Sequence, residues 1–250
     1  MLVITMAATA TTLFAIALLL PAATGVPQPG HRSLQLRNQA FEDTLITPTT
    51  TVGIEWGKHV HPSITAQASS VDGQHTTYLL ELTPVGEAET IYALYGHPQV
   101  ALEMPPAYHV AAPFGTNFGG TPSPLLSLRP EAQFDSFLFG AESLDKLGSV
   151  GIDFDSWTSE NGLSSNNGAV FYSNPNDAVA GRIIAAQLTV PAGSGFTAQM
   201  GAQGHKAIDP AYQATLAGIP TVRDSSKARE SWNQEYVQFS MTAAPLPTGH

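Results

Sequence analysis

The chain has 250 residues, no cysteine, and twenty carboxylates against ten Lys and Arg, for a formal charge of −10 at pH 7. Disulfides and thiol catalysis are therefore excluded, and a surface of this sign repels polyanions, so no nucleic-acid partner is expected. Three basic and eight acidic residues precede position 126, and seven and twelve follow, so each half is −5 and neither end is a charged tail.

Residues 13–20, "LFAIALLL", form a short apolar core, followed by "PAATGVP" with Ala23 and Gly25 at the small-residue positions of a cleavage site. Residues 1–25 thus read as a secretory signal peptide, with a secreted or cell-surface protein as the consequence. The rival is a retained anchor, because residues 2–20 approach the ~18 apolar residues that a spanning helix needs. No later stretch is apolar enough to span a bilayer. An N-terminal extension over 26–43 is expected next, then one domain over 44–243 and a frayed tail over 244–250.

The domain reads as strands. "TTYLLELTP" alternates Tyr78, Leu80 and Leu82 with Thr77, Glu81 and Thr83; "SVGIDFDSW" alternates Val150, Ile152 and Phe154 with Gly151, Asp153 and Asp155. "RIIAAQLTVP" and "EYVQFSMTA" repeat the pattern, setting Ile184, Ala186, Leu188 and Val190, then Val237, Phe239 and Met241, on one side. A period of two is that of a sheet with one wet face. Further strands are expected in 51–56, 63–69, 90–96, 99–104, 107–112, 134–140, 168–173 and 196–202. Turn signals such as "VDGQ", "NNG", "NPND" and "PAGSG" punctuate them. The expected fold is all-β, an antiparallel β-sandwich of jelly-roll type. Helix is confined to 208–220, with Asp209 as cap, Pro210 in the first turn and Gly218 as stop, and to a turn or two in 225–232. The Gly/Pro-rich stretch 112–130 is either a seam between sheets or subdomains or a long surface loop.

Catalytic signatures are missing from the sequence. There is no Gly-x-Ser-x-Gly, no Asp-Thr/Ser-Gly, no His-Glu-x-x-His and no P-loop. "GIDFDSW" lacks the Glu pair of a jelly-roll glycosidase, and it fails the EF-hand pattern at Trp157 and Thr158.

Three constellations remain. In "GIDFDSWTSENGLSSNNGAVFYSNPND", residues 151–177, Asp153 and Asp155 would share one strand face about 7 Å apart, with Asn161 and later asparagines to complete a calcium shell or bind sugar hydroxyls. The alternative is a solvated face whose Asn-Gly and Asn-Pro pairs simply make turns. In "GKHVHPS", His59 and His61 are spaced as paired metal ligands on a strand and would need a third, such as His97 or His109. Finally, Trp56, Trp157, Trp232, Tyr92, Tyr95, Tyr108 and Tyr172 include rings able to stack on sugars or to cap the core, with Trp157 just past the aspartates and Tyr172 later in the same run as the candidate ligand-binding rings. The expectation is a protein that binds an extracellular ligand, foremost polysaccharide or another matrix component, with calcium as a structural ion. An exported polysaccharide hydrolase or lyase and a structural assembly protein are the alternatives.

Overall fold

The computed structural model describes residues 57–69, 73–141, 144–208 and 229–243. The expected leader, the strand at 51–56 with Trp56, the helix at 208–220 from Asp209 onward and the tail at 244–250 lie outside these residues, and of the helical turn expected at 225–232 the described end, Ser231 and Trp232, is strand instead. Two sheets face one another. The smaller has the order β1 (Val60–Ser69), β2 (His75–Pro84), β10 (Ile183–Pro191), β6 (Phe137–Gly140), β5 (Phe118–Gly119), antiparallel except for the short β5–β6 pair.

The larger sheet is built on β11 (Phe196–His205). One edge of β11 pairs with β12 (Ser231–Met241). Along its other edge lie β3 (Ala93–Tyr95) and β4 (Leu102–Met104), followed by β9 (Ala169–Tyr172) beside β3 and β8 (Leu163–Ser165) beside β4. β7 (Leu147–Val150) closes the β9 side. β3 and β4 are one strand interrupted by the turn at 96–101. The interruption is tight: Gly96 N–H donates to Gly168 O at 2.8 Å, and a β-carbon on Gly96 would meet Ser165 O.

Alternation works as expected on the inner faces. Tyr78, Leu80 and Leu82 of β2 and Leu188 and Val190 of β10 pack with Leu94, Val170, Ala198, Met200, Val237 and Phe239 of the larger sheet. Each large side chain so buried contributes about 1.5–3 kcal/mol. The smaller sheet departs from the pattern on its other face. Thr77, Leu79 and Glu81 are buried too, so β2 has no wet side. Its polar groups are satisfied pairwise: the Thr77 and Thr189 hydroxyls lie 2.7 Å apart, and Glu81 accepts from Thr65 Oγ1 at 2.8 Å and pairs with Arg182 at 3.2 Å. This is the arrangement that buried polar groups require.

Several expectations need correction. The strand expected over Val150–Asp155 ends at Val150. Gly151 turns to φ +66, where a side chain would strike Asn167 O, and Phe154–Ser156 is a 3-10 turn closed by Trp157 N–H onto Phe154 O. Ile152 and Phe154 still pack on the core, which is why the alternation looked like a strand. In β10 the register shifts between Ile184 and Ala186, so Ile183 rather than Ile184 is buried. Residues 107–112 form no ladder; Tyr108 N–H donates to Thr189 O and Tyr108 O accepts from Ser136 N–H. The stretch 112–130 is a surface excursion holding β5 and the only α-helix among the described residues, α1 (Ser123–Leu128). In β6, Phe139 adopts φ 46, so Leu138 and Phe139 both enter the core and Phe139 meets Tyr172 edge-on at 5.4 Å.

Truncating Phe239, 1% exposed, to Ala should cost about 3–5 kcal/mol in urea denaturation, whereas Asp155→Ala should change stability by less than about 0.5 kcal/mol.

Candidate functional site

The run 151–177 folds as loops around two short strands. Asp153, Asp155 and Asn161 are exposed. Their neighbourhood is locally wired: Ser156 Oγ donates to Asp153 O at 2.7 Å, and the Asn161 backbone N–H donates to Thr158 Oγ1 at 3.0 Å. Asn174 caps the 3-10 turn Pro175–Asp177, accepting from Asn176 N–H and donating to Asp177 Oδ1 at 3.1 Å. These side chains do the work of turns.

Trp157 and Tyr172 are core residues, 3% and 5% exposed. The Trp157 indole N–H donates to Pro105 O at 2.8 Å, and Tyr172 stands against Phe139. Neither has a free ring face for a sugar. The placement of Trp157 beside Asp153 and Asp155 reflects its role as a plug under this loop.

His59 precedes β1 and stacks on the buried Trp232 at 5.3 Å. Burial, then Lys58 and Lys206, holds its pKa below the usual histidine value. His61 lies within β1 opposite Thr83. Among the described residues no three His, Cys, Asp or Glu side chains gather as a metal shell.

The most constrained polar group is one that sequence reasoning passed over. Asp135 is 1% exposed and ties the start of the 112–130 excursion to the strand that follows it. Its Oδ1 accepts from Val110 N–H at 2.7 Å and its Oδ2 from Thr116 N–H at 2.6 Å. His109 Nδ1 is 3.8 Å from Oδ1, and the His109 ring meets Trp157 edge-on at 4.5 Å. Burial pushes the Asp135 carboxyl up to about 6, against the pull of backbone N–H groups from Val110, Thr116 and Ser136. Burial pushes His109 down to about 4.

A second arrangement lies on the outer face of the larger sheet. Tyr95, half-buried, lays the far end of its ring where a β-carbon of Gly201, its cross-strand partner, would sit, and donates its hydroxyl to Asn233 Oδ1 at 2.6 Å. On β9, two strand pairs further on, the Phe171 ring lies in ordinary van der Waals contact, 3.4 Å, with the position that a β-carbon on its partner Gly148 would take. Between the two rings the face is floored by Ala93 and Ala169, the partners of Phe171 and Tyr95. Gln199, Gln203 and Gln238 occupy the same face, and Tyr92 roofs His205 at 4.8 Å and reaches Ser231 Oγ at 3.3 Å. Glycine inside a strand marks a place where something packs closely over the backbone. Gly148 and Gly201 were the available signal.

No protein-family model matches the chain, and no curated protein or solved structure is similar enough to it to indicate a family.

The Asp135–His109 pair has a readable pH signature. Asp135 holds its proton more tightly folded than unfolded, so its contribution to stability is complete below about 3.8 and is lost as pH rises through about 6. His109 is opposite: its contribution is complete above about 6.5 and is lost as pH falls through about 4. The two offset in the native protein. In urea melts between pH 4 and 6.5, His109→Gln should gain stability on acidification and Asp135→Asn should lose it, each on the order of 2 kcal/mol relative to wild type.

Proposed function

We propose that this protein is a secreted or surface-associated, non-catalytic β-sandwich that binds polysaccharide on the outer face of its larger sheet. The observation that carries the reading is Tyr95: a half-buried ring whose far end covers Gly201 and whose hydroxyl is tethered to Asn233. A ring fixed in advance loses little conformational freedom on binding and offers an apolar plate to the C–H face of a pyranose. Gln199, Gln203 and Gln238 supply amides on the same face, donors and acceptors suited to sugar hydroxyls. Burial, against the hydrogen bond to Asn233, moves the Tyr95 phenol above its ordinary pKa. Export is supported by the leader-like residues 1–25 alone.

Retention on a panel of insoluble glycans, read as mobility in affinity electrophoresis, tests this. Tyr95→Ala should weaken retention about tenfold with unchanged circular dichroism. Asp155→Ala should retain fully. Trp157→Ala should instead lower stability by about 3–5 kcal/mol, because that ring fills the core. Retention unaffected by Tyr95→Ala across the panel sinks the proposal.

A further inference from the structure

Two Asn–Gly pairs stand in the run 151–177, Asn161–Gly162 and Asn167–Gly168. In such a pair the glycine amide nitrogen can attack the asparagine carboxamide, because no side chain shields it. The other described asparagines offer less. Asn174 precedes Pro175, which has no N–H, and Asn117, Asn166, Asn176 and Asn233 precede residues whose side chains crowd the amide.

The fold treats the two pairs differently. Asn167–Gly168 lies in the turn between β8 and β9, and its backbone is clamped. Gly168 is buried, and its carbonyl accepts from Gly96 N–H at 2.8 Å. A β-carbon on Gly168 would come within 2.5–2.7 Å of Ser165 Oγ, Gly151 O and Ile152 Cγ1, and Asn167 O fills the place of a side chain on Gly151. Closing a ring turns the Asn–Gly peptide out of its place, and here that peptide is packed against backbone on both sides. Asn161 and Gly162, by contrast, are both exposed. The Asn161 carboxamide reaches Thr158 Oγ1 only at 3.5 Å, the limit of a hydrogen bond, and is easily freed.

We propose that Asn161 is a site of spontaneous deamidation and backbone isomerisation, and that its conversion loosens the loop that holds Trp157. The Gly162 nitrogen, giving up its proton, bonds to Asn161 Cγ; the carboxamide C–N bond breaks and ammonia leaves. Water then opens the cyclic imide at either carbonyl, giving aspartate or isoaspartate, with nothing oxidised or reduced. Isoaspartate lengthens the main chain by one atom and turns the Asn161 carbonyl into a free carboxylate. That carbonyl now accepts from Thr158 N–H at 2.9 Å, and Thr158 O accepts from Ala107 N–H at 3.0 Å. The two bonds tie the turn after Trp157 to the segment after β4, where Pro105 O accepts the indole N–H. The added atom displaces the turn and so weakens this tie.

The full chain is held in mildly alkaline buffer for days, and each asparagine is followed by peptide mapping, tandem mass spectrometry and isoaspartyl methyltransferase labelling. Asn161 should convert about tenfold faster than Asn167 in the folded chain, and the two rates should converge in urea. The melting temperature should fall as isoaspartate accumulates, and hold steady in Asn161→Gln, whose longer side chain closes the ring far more slowly. Fresh Asn161→Asp carries the charge without the added atom and should melt with the fresh wild type. Conversion at Asn167 as fast as at Asn161, or none at Asn161, overturns the site. A preference for Asn161 that survives urea overturns the structural reason for it. Conversion at Asn161 with an unchanged melting temperature overturns the link to Trp157, and a fresh Asn161→Asp that melts with the aged protein overturns the backbone explanation.

Discussion

With no cysteine in the chain, the two sheets are joined by the contact between their inner apolar rows, and every other feature depends on that contact. The pleat sets the terms. A strand with alternate residues turned inward must direct the others outward, so a core built from Leu80, Leu82, Leu188, Val170 and Met200 fixes which side chains reach the two outer faces. Tyr95 and Phe171 face outward because Leu94 and Val170, beside them in sequence, are wholly buried. The candidate surface is thus a consequence of core packing.

Buried polar groups do a second kind of holding. Asp135 gathers the backbone N–H groups of Val110 and Thr116, which otherwise would be donors without partners, and so closes the 112–130 excursion at its root. Gln187 acts from the neighbouring strand, donating to Gln133 O and Asp135 O, while Ser136 Oγ accepts from Thr189 N–H. The edge between the sheets is sealed by Gln234, whose side-chain oxygen accepts from His59 N–H and Val60 N–H at 3.1 and 3.3 Å. In a sandwich without covalent staples, such hydrogen bonds select one register among those the apolar rows allow.

The architecture was legible because alternation is a local property. Tyr78, Leu80 and Leu82, and Val237 and Phe239, announce their strands in the order of the residues alone. What misled was a loop that imitates the same period. Ile152 and Phe154 pack on the core from a path that leaves the strand at Gly151, with its positive φ, and then closes the 3-10 turn Phe154–Ser156. The register shifts in β10 and β12 were also invisible, because a bulge depends on the partner strand and not on the bulged sequence. The site was less legible still. Trp157 lies beside two aspartates in sequence, yet it is drawn inward by Pro105 and His109, residues about fifty positions away.

Tyr95 and Tyr92 stood out only as members of a long set of rings, and Phe171 did not stand out at all. Their significance comes from the residues opposite them. Gly201 and Gly148 are poor strand formers, each costing the sheet an unpacked stretch of backbone unless something covers it. An aromatic ring set over the gap offsets that loss, closely at Gly201, where the Tyr95 ring takes the place of a side chain, and by ordinary contact at Gly148. The repair explains the stability of the strands without any ligand. It also leaves, as a by-product of sheet packing, two aromatic rings on a face that further carries the amides of Gln199, Gln203 and Gln238, the carboxylate of Glu103 and the exposed Val150. Asp153 and Asp155, by contrast, are exposed beside a turn that Ser156 and Thr158 hold by hydrogen bonds, so it is the rings over the two glycines that the core fixes in place.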